Sequence, residues 1–242
     1  MKKNSSWIIT LTLICSFLFS CNTDEENIIN LDIHSSDSYK KQIQQIPQNY
    51  INPYDTIGKL QNYILDIYLS TNHNHNTIEE INGEVQTMVS IYGNSNIGNT
   101  VQLSLTSINQ INNPLNTTES NLNTIIGNSQ LTSQAKISLS GFINSLFLLV
   151  DEEYEDIHEF IIAYELGTIN NSEFNDEDKR IILTTSSLSR YSFYYEKKRK
   201  DKDWETSVGN IMSGISGALE NSLTALNSAL VTGIFHNTIV TD

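Results

Sequence analysis

Apolar residues recur three and four positions apart through most of the chain, the spacing of one face of an α-helix. Ile57, Leu60, Ile64 and Ile67 mark a first helix. Ile78, Ile81, Val85, Met88 and Tyr92 mark a second, with Thr77 and Glu80 spaced as a capping box and Gly93 as its stop. Leu139, Phe142, Ile143, Leu146, Phe147 and Val150 predict a strongly apolar helix. The acids Asp151, Glu152 and Glu153 suit the positive end of the next, which runs through Tyr154, Ile157, Ile161 and Tyr164 to Gly167. Asp176, Glu177 and Asp178 open another, with Ile181, Ile182, Leu188 and Tyr191. Residues 85–118 carry no charge. Val101 to Leu105 alternate like a strand, but Leu105, Ile108 and Ile111 return to helical spacing. No repeat of fixed period is visible, and the fold class expected is all-α, a helical bundle.

The longest uninterrupted pattern runs from Trp204 to about Phe235 and predicts one helix. Small residues lie four apart along it: Gly209, Ser213, Gly217, Asn221, Ala225, Ala229 and Gly233. Beside them run Met212, Ile215, Leu219, Leu223, Leu226, Leu230 and Ile234. Such a ridge lets another helix approach closely. The partner could be a neighbour in the core, a second copy of the chain, or lipid, as in a membrane-active helix. Asn210, Ser216, Asn221, Ser222 and Asn227 make a bilayer span expensive.

The N-terminus breaks from this pattern. Lys2 and Lys3 precede an uncharged, mostly apolar stretch, Trp7 to Ser20, which is shorter than the roughly 20 residues a bilayer span needs. It stops at Leu18-Phe19-Ser20-Cys21, then Asn22-Thr23-Asp24-Glu25-Glu26. The first four residues resemble the lipobox of bacterial lipoproteins: an aliphatic residue, a small residue, then the cysteine. Phe19 departs from the small residue often found there. The resemblance implies cleavage before Cys21, diacylglycerol on its sulfur and an acylated amine, so that several chains hold the protein to a membrane. Without it, the stretch reads as an ordinary secretory signal with a chance cysteine. Asp24, Glu25 and Glu26 resemble the surface-export signal of Bacteroidetes lipoproteins; the alternative reading is a solvated acidic linker. Tyr191, Tyr194, Tyr195, Lys197, Trp204, Gly209, Gly214, Gly217 and Ala218 resemble the C-terminal part of uncharacterised Bacteroidetes lipoproteins, which brings a location and no activity. Residues 1–20 are thus expected as signal peptide, 21–53 as a flexible acidic tether and 54–242 as the helical domain.

Charge narrows the partners. The chain carries 28 acids against 14 bases, a net −14; losing Lys2 and Lys3 with the signal makes it −16. Such a surface repels phosphate backbones, so nucleic acid is not an expected partner. The two cysteines are Cys15, in the signal, and Cys21, which leaves no thiol pair to staple the domain.

The candidate chemistry is sparse. His73 and His75 stand two apart in Asn72-His73-Asn74-His75-Asn76, two metal ligands or a solvated turn. Glu155 and His158 form E-x-x-H without a second copy, and His158-Glu159 begins a zinc-protease motif that fails at Ile162. Asp176-Glu177-Asp178 lacks the alternation and glycine of a calcium loop. No phosphate loop, dinucleotide fingerprint or nucleophile elbow is present. No catalytic residue, metal or cofactor is therefore assigned. Residues 189–200 join an aromatic cluster to a basic run, Lys197, Lys198, Arg199 and Lys200, suited to the acids at 151–156 or to a partner. The function expected is a membrane-anchored binding module at the outer membrane or cell surface; the rival is a toxin-like protein acting through residues 204–235.

Overall fold

Two stretches of eleven residues, 181–191 and 224–234, are buried on every side of their helices. A helix buried all round sits at the centre of its domain, and the rest of the fold is arranged about this pair. The computed structural model describes residues 46–73, 75, 77–93, 103, 119–199 and 208–238, all within the unit Gln44–Asp242. These form α1 (Asp55–Ser70), α2 (Ile78–Tyr92), α3 (Glu119–Gly127), α4 (Ser133–Leu148), α5 (Tyr154–Asn170), α6 (Asp176–Tyr194), a π-helical turn (Tyr195–Arg199), α7 (Val208–Glu220) and α8 (Ser222–Thr238). The fold is an all-α helical bundle. Central α6 packs against α1, α4, α5, α7 and α8; central α8 packs against α1, α2, α6 and α7.

Local chemistry sets the helix ends. Thr77 and Glu80 form the expected capping box, and α2 ends before Gly93. Gly93 has φ −80°, so it ends the helix in extended backbone, without a left-handed turn. Asn175 and Asp178 make a second capping box at the start of α6. Asp178 also accepts from Thr132 N–H (2.9 Å) and Oγ1 (2.8 Å), joining the N-terminus of α4 to that of α6. The acids at 151–153 precede α5, which begins at Tyr154 and runs past Gly167 to Asn170. Little surrounds Gly167, and nothing there forces a stop.

The C-terminal segment is not one helix. It folds back at Asn221 into a hairpin of α7 and α8. Asn221 Oδ1 accepts the N–H groups of Leu223 (3.0 Å) and Thr224 (2.9 Å), capping α8 where α7 ends. The small ridge thus packs against its own second half. A β-carbon on Gly217 would lie 2.5 Å from Thr224 O and 2.6 Å from Ala225 Cα and N, and one on Gly214 would lie 3.6 Å from Ala229 Cβ. Ser213, Ala225, Ala229 and Gly233 are buried, and Gly209 lies in the first turn of α7.

The exposed face of α1 is also unexpected. Ile57, Leu60 and Ile67 are only half-buried, while Asp55, Gly58, Gln61 and Asn62 are buried beside Ile64, Leu65 and Tyr68. The cause is α6, which presents Thr184, Thr185, Ser186, Ser187, Ser189 and Arg190 to its neighbours. Small hydroxyls let α1 come close: Gly58 N–H donates to Ser187 Oγ at 3.2 Å, and a β-carbon there would lie 2.7 Å from Ser187 O and overlap the Tyr191 ring. The strand-like and helical patterns at 94–118 lie outside the described residues apart from Leu103, which is buried.

Gly217→Ala and Gly58→Ala each drive a methyl group into backbone that cannot rotate away, and should cost about 2–3 kcal/mol or more. Gly141→Ala, in α4 with nothing within 4 Å, should gain up to about 1 kcal/mol from helix propensity. Urea denaturation of the three variants checks the order; equal effects at all three would contradict the close helix contacts.

Candidate functional site

The densest polar chemistry of the described residues is sealed beneath the first turns of the domain. Asn49, Asn52 and Asp55 stand three apart in Asn49-Tyr50-Ile51-Asn52-Pro53-Tyr54-Asp55. Two successive turns result: Asn52 N–H donates to Asn49 O and Asp55 N–H to Asn52 O, both at 3.1 Å. Each asparagine oxygen also accepts the N–H two residues on, Ile51 (3.2 Å) and Tyr54 (2.8 Å). With the oxygens so used, both amide nitrogens point inward and donate to Glu165 of α5: Asn49 Nδ2 to Oε2 at 2.5 Å, Asn52 Nδ2 to Oε1 at 2.8 Å. Asn52 Nδ2 reaches Leu183 O as well, at 3.0 Å.

Arg190 of α6 completes the cluster. Its Nη2 lies 2.7 Å from Asp55 Oδ1 and 3.2 Å from Glu165 Oε1, with Arg190 and Glu165 wholly buried. Ser186 Oγ donates to Glu165 Oε1 (2.9 Å), Tyr191 OH to Asp55 Oδ2 (3.1 Å) and Asn49 N–H to Asp55 Oδ1 (3.0 Å). Burial works against the arginine's charge, but Glu165 and Asp55 outweigh it and raise the pKa above its ordinary value. Burial, with Asp55 beside it, pushes the Tyr191 hydroxyl up as well. Two carboxylates face one guanidinium, and the amide and hydroxyl donors stabilise the excess negative charge. Among the described residues Arg190 Nε and Nη1 have no hydrogen-bond partner. The cluster therefore keeps a desolvation cost that an apolar filling would avoid, and its contribution is to fix a geometry.

His158 of α5 and Tyr154 flank the arginine. Burial, then the positive charge of Arg190, lowers the His158 pKa from 6.5 to about 4, against a smaller opposing effect of Glu155. Burial raises that of Tyr154. The imidazole is neutral at pH 7. The charge of Arg190 beside His158 disfavours a metal cation at that imidazole. With Glu165, Asp55 and Arg190 all buried, the cluster offers no open face to a substrate. It can hold the N-terminal turns on the domain.

The other predicted positions fall elsewhere. Cys21, Asp24, Glu25 and Glu26 lie outside the described residues. His73 stacks on Tyr68 (4.0 Å between ring centres) and lies 5.2 Å from His75, whose Nδ1 meets Tyr68 OH at 3.2 Å. Burial raises the Tyr68 pKa to about 12. Among the described residues no three His, Cys, Asp or Glu side chains are grouped to hold a metal. Asp176, Glu177 and Asp178 are the first turn of α6. The aromatic cluster before the basic run packs inward, with Tyr194 edge-on to Tyr154 at 5.4 Å. A small cavity lies among Gln61, Asn62, Leu65, Ser192, Tyr195, Asn210, Ala229 and Leu230, with room for about one water molecule.

No protein-family model, curated protein or solved structure matches the chain.

Hydrophobic spacing could not find this cluster, because its residues are polar. The Asn-x-x-Asn-x-x-Asp spacing was available as a signal, since asparagines three apart ahead of a helix can each close a turn. Residues 46–53, grouped with the tether on composition, carry two members of the clamp, Asn49 and Asn52.

Arg190→Leu leaves two buried carboxylates without their cation and should cost about 3–5 kcal/mol. Asn52→Ala removes a donor to a buried charge and should cost about 1.5–3 kcal/mol. Chemical denaturation reads both, and a loss below that of an exposed control such as Glu79→Ala would contradict the clamp. Because the folded pKa of His158 lies below the unfolded value, the unfolded chain takes the proton first. Its contribution to stability is intact above pH 6.5 and falls from there towards about pH 4. His158→Gln should flatten that part of the pH dependence, measured as the difference between the two chains' denaturation midpoints.

Proposed function

We propose that this protein is a bacterial lipoprotein: a helical binding module anchored through Cys21 to the outer membrane, facing outward from the cell. The observation that carries the proposal is Leu18-Phe19-Ser20-Cys21 at the end of an apolar stretch too short to span a bilayer. Asp24, Glu25 and Glu26 supply the surface-export pattern. The net negative charge favours partners other than nucleic acid.

The make-up of the domain supports a binding role over a membrane-active one. The small ridge is occupied by the α7–α8 hairpin, with residues 224–234 buried. Among the described residues no helix is long and apolar enough to cross a membrane. The same burial argues against that ridge as an oligomerisation face.

Mass spectrometry of the mature N-terminus, with protease shaving of intact cells, tests the proposal. Diacylglycerol on Cys21 and loss of the domain on shaving are expected, and Cys21→Ala should release the protein from membranes. An unmodified Cys21 would overturn the lipoprotein reading; a lipidated but protected domain would overturn the outward orientation.

A further inference from the structure

The turn that closes the clamp carries unusual side chains at its tip. Asn49 and Asn52 hold its two ends, to each other through the backbone and to Glu165 through their amides. Tyr50 and Ile51 occupy its two central positions, where turns ordinarily place Gly, Pro, Asn, Asp or Ser. Here they are an aromatic and a β-branched residue, 83% and 63% exposed, and Ile46 just before them is 58% exposed. Pro47 and Asn49, between them, are buried. The backbone is thus held to the domain while three large apolar side chains project away from it. Core packing gives no reason for this choice.

We infer that Tyr50, Ile51 and Ile46 form a preformed contact point for the interface of the bilayer that carries the anchor. This rests on the lipoprotein reading of Cys21. Twenty-five residues lead from Cys21 to Ile46, and fully extended they span at most roughly 90 Å. An anchored chain therefore keeps the turn within that reach of the membrane, whatever path those residues take. Of the domain's described surface, this turn follows the anchor first along the chain. A tyrosine beside aliphatic side chains suits the boundary between head groups and acyl chains. The clamp fixes the turn before contact, so little conformational freedom is lost on insertion. A mature chain of net charge −16 (28 acids against 12 bases) gains nothing from anionic head groups, so the apolar side chains of the turn must supply the attraction. The remaining exposed large apolar residues, such as Tyr63 and Leu148, lie on helices.

The test uses the chain from Cys21 onward, which retains all of Gln44–Asp242. Its one thiol is coupled to a maleimide lipid in phosphatidylcholine vesicles with brominated acyl chains. Tyr50→Trp adds a reporter at the tip, Tyr63→Trp adds one on α1, and the parent chain supplies the background of Trp204. The emission added at position 50 should shift to the blue and be quenched at least twice as strongly as that at 63. Equal quenching at the two positions would overturn the inference. So would a blue shift at position 50 that grows with protein concentration without vesicles, since a second copy would then cover the tip. Because the coupling is chemical, the outcome is independent of whether cells acylate Cys21, which the mass of the native N-terminus decides separately.

Discussion

A guanidinium shared by two carboxylates deep in the domain sets the positions of everything near it. Arg190 can stay charged out of water only with Asp55 and Glu165 beside it, and each acid comes from a different element. Asp55 begins α1, Glu165 lies on α5 and Arg190 on α6. The three helices must therefore meet at one point with their side chains in register. An apolar contact would tolerate a slip of one residue or a rotation of several degrees; a buried ion cluster does not, because a displaced charge is left bare. The cluster's value is in specifying one arrangement of these helices.

The same demand explains the composition of α6. A helix surrounded on all sides is expected to be apolar, yet α6 has a run of serines and threonines through its buried length. Ser186 bonds Glu165 and Ser187 bonds the α1 backbone at Gly58. Short hydroxyl side chains allow the neighbouring helices close enough for the ions to pair. The α7–α8 hairpin solves close approach in another way, with Gly217 against the backbone of Ala225. A protein without a disulfide to staple its domain thus reaches tight packing by two means, one polar and one through small apolar residues.

What could be read from sequence follows that division. The all-α class and the helices of α2, α4 and α5 were legible because their buried faces are apolar and the period shows. The Thr77–Glu80 cap was legible because its chemistry is local. The inward face of α1 was hidden, since Gly58, Gln61 and Asn62 are buried against another polar helix and spacing reports only the apolar edge. The hairpin was hidden because a ridge of small residues looks the same whether its partner is another helix or its own continuation. Only Asn221, a capping residue within that run, marked the fold-back. The clamp was hidden because Asn49 and Asp55 lie more than a hundred residues from their partners Glu165 and Arg190.

These constraints meet at the N-terminal edge of the domain. Asn49 and Asn52, ahead of α1, are both bonded to a buried carboxylate. A turn held by backbone bonds alone would open at the cost of those bonds alone. Here fraying would uncover Glu165 and leave its charge with fewer donors, so the cost of opening is that of exposing part of an ion cluster. The polar centre thus orders the helices and also holds the turn at Asn49–Asn52 against them. Tyr50 and Ile51 owe their fixed outward position to the same two asparagines. A flexible link would have let these apolar side chains fold back on the domain; the clamp denies them that route and keeps them facing outward.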